Sequence, residues 1–490
     1  MRSRGGRVSR SMRKLDGISR REFLASGVGA AGSLAFGVSC TLSGTPFEGI
    51  YTDRFTYRQG EWILVSAALQ ASATVQVELR REDAPGVGHI GLYPMVVTDR
   101  GNPERPGEMG ANFPFAAAID TEGLEPGIYS LELAPELLQP QNRANHYHHF
   151  PSLNTIARFV VTPRIPGSRS PILWIHDSLT GVCYGSYGGQ SIYGSAGVQS
   201  RTVSYARPGL ERATVEWGPV RFWRDHGYDF EFIDLVELSR VAPGYLAPYQ
   251  LVIVSGQFEY VPQEVMEQLS GFVAAGGNLL VASHEFGIFR VRLDHEKQQL
   301  TTYKWDFEVA DPLAGIGDPR VAGVAMNCPE VIYETELVGQ HLWAAHSVSA
   351  VDWVDMPLYN LAEAGWILDG TGLGSGDSLP GAFRFFGLGQ RLRFDGNGKP
   401  VLVDPEFTRT FEDTLVWAAV PSPDGRAWWE AAGRYVADWP LLSDGYATCS
   451  LQERPSGARI VTFPSKHLAS AHLSDPLYQK ILLNVIERLS

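Results

Sequence analysis

The sequence predicts an α/β domain with a flavodoxin-like sheet, preceded by an all-β sandwich of the immunoglobulin-like type. The α/β part is predicted by residues 249–290, where two buried apolar runs flank an amphipathic segment. A right-handed crossover between two such strands makes them parallel neighbours in an open sheet. The β part is predicted by residues 47–162, which contain short alternating runs separated by turn residues. We expect two domains, at 47–162 and 170–490.

Residues 1–40 have the features of a targeting segment. A basic region leads to Arg20-Arg21, and a weakly apolar run rich in alanine and glycine follows. This pattern is typical of a twin-arginine export signal and predicts a protein of the periplasm or the cell surface. Cys40 is a candidate for lipidation, which is the one route by which we expect membrane attachment.

The composition indicates an acidic globular protein. The chain has 490 residues, of which 44% are hydrophobic and 19% charged, and its formal net charge is −13. This balance argues against nucleic acid or an anionic membrane surface as a partner. It says little about the small-molecule substrate that we expect, and it leaves a homo-oligomer open. The cysteines besides Cys40 are Cys183, Cys328 and Cys449, and no zinc-type spacing joins them. We expect these three to be buried free thiols.

The predicted elements follow one another in the order that these two domains require. Residues 163–171 form a linker rich in proline, glycine, serine and arginine. The α/β domain then starts with a buried strand at 172–175, a helix at 219–226 and a strand at 230–233. A helix that begins after Asp475-Pro476 closes the chain.

The polar residues that follow the central strands are the first candidates for a functional site. In open α/β sheets, ligands bind at the carboxyl ends of the strands. Here those positions hold Gln257, Glu259, Tyr260, His284 and Glu285. We expect these side chains to lie together.

Nucleophilic thiol chemistry is excluded at the central turn. The strand–turn–helix unit resembles that of the class I glutamine amidotransferases, in which a cysteine stands at the turn. Residues 256–260 contain neither cysteine nor serine. Cys183 with His176 and Asp177 is an alternative catalytic triad that the sequence leaves open.

Several runs together resemble the large (beta) subunit family of N,N-dimethylformamidase, over residues 170–490. Singly each run is a weak signal, and together they are specific. The runs lie at 185–193, 203–208, 222–229, 249–290, 366–373 and 484–489.

This resemblance implies a mononuclear ferric site held by two tyrosines and a glutamate. Tyr260 matches the tyrosine of the family's Glu-Tyr pair and is therefore the candidate metal ligand. Gln257-Phe258 replaces the His-Asp or His-Pro that precedes this pair in the family. Since no tyrosine stands at the expected place of the second ligand, Tyr184, Tyr187 or Tyr205 would substitute for it.

The resemblance predicts an exported hydrolase that cleaves a small amide or a related C–N bond with the help of Fe(III). In this hypothesis Tyr260 binds the metal, and Glu259 or Glu285 orients water or acts as the general base. His284 would assist proton transfer. The alternative is a non-catalytic exported protein that binds a ligand or carbohydrate and has lost the iron site.

Overall fold

The computed structural model describes most of the chain after residue 47. The described residues are 48–69, 72–84, 88–99, 105–134, 153–185, 187–192, 198–209, 217–283, 285–325, 328, 331–341, 353–383, 387–403, 410–422, 445–465 and 472–490. The predicted export signal and Cys40 lie outside these residues. No helix of the described residues is both long enough and apolar enough to span a bilayer.

An eight-stranded sheet forms the β-rich N-terminal region. Its strands run in the order β1-β3-β5-β4-β7-β8-β2, with β6 beside β3. Their inward side chains form a core that includes Val65, Val77 and Phe159. A β-rich N-terminal region is compatible with the predicted sandwich. The strands are β1 Gly49–Thr52, β2 Thr56–Arg58, β3 Trp62–Leu69, β4 Ala73–Arg81, β5 His89–Asp99, β6 Phe115–Asp120, β7 Gly127–Leu133 and β8 Ile156–Thr162.

A nine-stranded mixed sheet forms the second large layer, in the order β13-β9-β14-β16-β25-β24-β21-β22, with β23 beside β24. Two apolar clusters cover its two faces. Its strands are β9 Ile172–His176, β13 Glu231–Asp234, β14 Leu251–Gly256, β16 Asn278–Ser283, β21 Gly389–Phe394, β22 Pro400–Leu402, β23 Leu415–Pro421, β24 Gly445–Glu453 and β25 Arg459–Phe463.

The prediction of a flavodoxin-like, amidotransferase-like α/β fold is wrong. The strands from β13 to β25 along this sheet are parallel, but β21, β22, β23 and β24 pair antiparallel. Only residues 454–458 join β24 to β25, and a parallel pair needs a crossover of about a dozen residues or more. The helices between strands are few and short, so the described chain is rich in strands, with sheets of mixed direction.

Helices cover the sheets only in part. The helices are α1 Pro106–Met109, α2 Leu179–Tyr184, α3 Trp217–Asp225, α4 Leu235–Leu238, α5 Gln263–Ala274, α6 Phe307–Ala310, α7 Glu334–Val338, α8 Leu361–Ala364 and α9 Pro476–Leu489. Short 3-10 turns lie at Leu153–Thr155, Tyr187–Gly189, Lys304–Asp306 and Gly365–Leu368.

The elements predicted around the central unit are present. Helix α5 joins the parallel neighbours β14 and β16, and it buries Val265, Leu269 and Phe272. Pro262 stands at the N-cap of α5, directly before its first turn. The Asp475 side chain caps α9 by accepting the Leu477 N–H at 2.8 Å.

Three small sheets complete the described strands. A four-stranded sheet in the order β12-β18-β17-β15 is the one that bears on function, because β15 follows directly from the turn after β14. Its strands are β12 Thr202–Ser204, β15 Tyr260–Pro262, β17 Phe289–Asp294 and β18 Gln299–Thr301. The two-stranded sheets pair β10 Gln190–Ser191 with β11 Val198–Gln199, and β19 Val354–Pro357 with β20 Ser378–Phe383.

Buried carboxylates connect the two large sheets. The Glu231 carboxylate accepts the N–H groups of Gly167 and Arg169, both at 2.8 Å, and the Tyr249 hydroxyl at 2.6 Å. It thereby fixes the segment at 163–171 to the start of β13. Asp83, which lies beyond β4, forms an ion pair with Arg224 of α3 at 3.0 Å.

Candidate active site

A strained turn between β14 and β15 begins the site. Gly256 has φ +124° and Phe258 has φ +46°, a left-handed conformation that side chains other than glycine rarely adopt. The end of β9 holds this turn, because Asp177 Oδ2 accepts the Phe258 N–H at 2.9 Å. Thr180 Oγ1 accepts the Glu259 N–H at 3.1 Å. Two hydrogen bonds therefore stabilise a backbone that the sequence alone disfavours.

The small four-stranded sheet buries the residues that come directly after this turn. Strand β15 pairs in parallel with β17, so that Tyr260 lies beside Phe289 with ring centroids 5.3 Å apart. Tyr260 is fully buried and Glu259 is 2% exposed. The carboxyl end of β14 thus continues into a second sheet and does not open into solvent.

Five polar side chains meet there, and we call them the Glu259 cluster: Tyr184, Gln257, Glu259, Tyr260 and Glu285. The Tyr184 hydroxyl donates to Glu259 Oε2 at 2.7 Å. The Tyr260 hydroxyl lies near enough to this carboxyl group to lower its pKa. Gln257 Nε2 donates to Tyr184 Oη at 3.2 Å and to Glu259 Oε2 at 3.3 Å. Two phenol oxygens and an amide therefore converge on one buried carboxylate.

Burial and mutual repulsion raise the pKa values in this cluster. The pKa of Glu259 lies well above its usual value because the side chain is desolvated and because Glu285 is close; the Lys304 ammonium acts in the opposite direction. Desolvation, followed by the nearby Glu259, likewise raises the pKa of Tyr260. A raised pKa makes a carboxylate a stronger proton acceptor, which is a property that acid–base chemistry uses.

The structure brings together four of the five residues predicted for the site. Gln257, Glu259, Tyr260 and Glu285 belong to the cluster, whereas His284 lies outside the described residues. Of the three tyrosines proposed as a second ligand, Tyr184 reaches Glu259. Tyr187 instead packs against Phe113 with ring centroids 6.1 Å apart.

Tyr205 also lies away from Glu259, beside Phe55 with ring centroids 6.0 Å apart. Sequence reasoning missed Lys304 entirely. It lies between β18 and α6, more than forty positions after Tyr260 in the chain. The pairing of β15 with β17 and of β17 with β18 brings it near, and no local pattern carries that information.

The structure does not support the alternative triad. Cys183 is fully buried in α2, and burial raises the pKa of its thiol well above the ordinary value, which disfavours the reactive thiolate. The Asp177 carboxylate is engaged by the N–H groups of Thr180 and Phe258. As expected, Cys183, Cys328 and Cys449 are buried free thiols.

The donor chemistry of the cluster fits a ferric ion. No group of three or more His, Cys, Asp or Glu side chains able to hold a metal occurs within the described part of the chain. The Glu259 cluster differs from such groups because two of its oxygen donors are phenols. Anionic oxygen is the ligand type that hard, highly charged cations prefer.

A separate surface cleft of 540 Å³ lies on the hairpin formed by β17 and β18. Its lining includes Arg292, His295 and Lys297. None of the five side chains of the Glu259 cluster belongs to this lining, and we assign it no chemistry.

The family model described as N,N-dimethylformamidase beta subunit-like, C-terminal, matches residues 104–385. This chain belongs to that family. The match covers all five residues of the Glu259 cluster and also Lys304. It begins after β5 and ends before β21, whereas the sequence resemblance extends over 170–490. No curated protein was found to match the chain.

Proposed function

We propose that this chain is a hydrolase that cleaves the C–N bond of a small amide, with the Glu259 cluster as its active site. The observation that carries the proposal is the convergence of the Tyr184 and Tyr260 hydroxyls on the one buried carboxylate of Glu259. Two tyrosines and a glutamate are the set that the resemblance to N,N-dimethylformamidase implies.

Tyr184, Tyr260 and Glu259 would hold a ferric ion. The bound ion would supply Lewis acidity toward the amide carbonyl and would lower the pKa of a water molecule. Gln257 supports this arrangement because its amide group hydrogen-bonds both Tyr184 and Glu259 and so fixes their relative orientation. Asp177 contributes indirectly, because its carboxylate accepts the Phe258 N–H and so holds the turn that positions Glu259 and Tyr260.

Glu285 is the general base in this proposal. It follows β16, and its N–H donates to Ser283 Oγ at 3.3 Å. Its carboxylate is close enough to Glu259 to raise the pKa of that residue. It would accept the proton of the attacking water and return it to the leaving amine.

The substrate would be small. Tyr184, Gln257 and Glu285 keep 7–8% of their surface exposed, whereas Tyr260 keeps none. The exposed edge of these three side chains is therefore the side from which a molecule would approach. Trp174 and Trp223 lie in the core, where they are 2% and 1% exposed. Neither is therefore available to bind a sugar, and they give the carbohydrate-binding alternative no support.

Replacing Tyr184 by phenylalanine tests this proposal. We expect Tyr184→Phe to lower kcat/KM for amine release from small formamides and acetamides by about 100-fold or more, because one of the converging oxygens is lost. The matched control is Tyr187→Phe, which removes a hydroxyl three positions away and outside the cluster. Equal activity of the two variants, or no turnover by folded, iron-loaded wild type, would overturn the proposal.

A further inference from the structure

A buried lysine lies against the Glu259 cluster. Lys304 is 8% exposed, and its ammonium nitrogen is 4.7 Å from the ring centroid of Phe289 and 5.8 Å from that of Tyr260. Lysine is almost never buried to this extent unless a negative charge or a π-face compensates its own charge. This environment provides both.

The backbone holds Lys304 in place at some strain. Its φ is +50°, in the left-handed region that a lysine rarely adopts. Its N–H donates to Thr302 Oγ1 at 3.3 Å, and its carbonyl accepts the Val324 N–H at 3.0 Å. Strained backbone that is fixed from both sides is characteristic of functional sites.

The charges around Lys304 are negative. Its ammonium attracts the Glu259 carboxylate, and Glu285 repels that same carboxylate. With both carboxylates ionised, the lysine reduces the formal charge of the cluster from −2 to −1. An ammonium at this place also repels any metal cation that the two tyrosines and Glu259 would hold.

We propose that Lys304 is the resident cation of the Glu259 cluster, which balances its carboxylates when metal is absent and limits its affinity for iron when metal is present. The second half rests on the proposed function, and the first half does not. Lys304 is thus a positioning residue, whose ammonium limits the additional positive charge that the cluster can bind.

A double-mutant cycle on the iron-free full chain tests the first half. We expect Lys304→Met to lower the melting temperature, because the Glu259 carboxylate loses its compensating charge. In a Glu259→Gln background the same change should lower it much less. Additive effects of the two substitutions would overturn the proposal. Lys304→Gln provides a second neutral variant if the methionine variant does not fold.

Titration with ferric citrate tests the second half, with bound iron measured by elemental analysis and by tyrosinate absorption. We expect Lys304→Met to bind iron about tenfold more tightly than wild type, as expected for removal of a like charge at short range. Lys304→Arg should match wild type. The control Lys297→Met removes a lysine that is 67% exposed and should change nothing.

Iron affinity that is unchanged or weaker in Lys304→Met would overturn the second half. Absence of iron from wild type and from every variant would refute the metal in the proposed function. It would also refute this half, while the double-mutant cycle would still decide the first.

Discussion

Glu259→Gln is expected to abolish amide hydrolysis and to weaken the pH dependence of the stability of the metal-free protein. The amide keeps the shape of the side chain and one acceptor oxygen for Tyr184, but it can neither carry charge nor bind a hard cation strongly. We expect kcat/KM to fall by about 10²–10⁴-fold, the range for loss of an essential acid–base or charged group. Steady-state assays of amine release measure this.

The weaker pH dependence results from the direction of the pKa shift. Burial and Glu285 raise the pKa of Glu259 in the folded state, so the folded protein holds this proton more tightly than the unfolded chain. The contribution of Glu259 to stability is therefore fully present below the unfolded pKa of about 4.3 and is lost as pH rises through the folded pKa. Glu259→Gln removes this loss, and its free energy of unfolding should depend less on pH.

An exposed glutamate provides the matched control. Glu264→Gln, on the outer face of α5, should leave both the activity and the pH dependence of unfolding as in wild type. If Glu259→Gln retained most of the activity, Glu259 could not be at the centre of the site. If its free energy of unfolding depended on pH as strongly as that of wild type, the raised pKa would be refuted.

Asp83→Asn is expected to lower the free energy of unfolding by about 3–5 kcal/mol, because it leaves two guanidinium groups without their buried counter-ion. Asp83 is fully buried and forms ion pairs with Arg81 at 3.2 Å and with Arg224 at 3.0 Å. It also accepts the Ile128 N–H at 2.9 Å. This one carboxylate joins the N-terminal sheet to α3.

Denaturant unfolding of Asp83→Asn and Asp229→Asn compares the loss of a buried carboxylate with the loss of an exposed one. Asp229 also pairs with Arg224, at 2.8 Å, but its side chain is 48% exposed. Its removal should therefore lower the free energy of unfolding by no more than about 1 kcal/mol. Equal losses in the two variants would show that Asp83 has no special part in joining the two layers.

The sequence predicted correctly those elements that depend on residues close together in the chain. The two apolar runs around α5 form parallel neighbouring strands, because a helix between them fits only as a crossover. Asp475 caps α9 because its side chain accepts the N–H of Leu477, two residues further on. Glu259, Tyr260 and Glu285 come together because the carboxyl ends of neighbouring parallel strands share one edge.

The fold class could not be predicted from that one unit. Strands β21 to β24 extend the same sheet in the antiparallel direction, and β21 joins it by pairing with β24, which lies far away in sequence. The choice of Tyr184 over Tyr187 and Tyr205 depends on how α2 is placed against the turn at Phe258, which no pattern in residues 179–187 encodes. Lys304 reaches the cluster only through the pairing of three small strands.

Elemental analysis combined with visible absorption, on protein expressed with its N-terminal segment, tests most directly whether Tyr184, Glu259 and Tyr260 form a ferric site. We expect about one iron per chain and a purple-red tyrosinate band. Tyr260→Phe should lose both the iron and the band while keeping a melting temperature close to that of wild type. Tyr205→Phe, the control, should keep both. A colourless, metal-free wild type, or a Tyr260→Phe variant that retains the band, would contradict the ferric site.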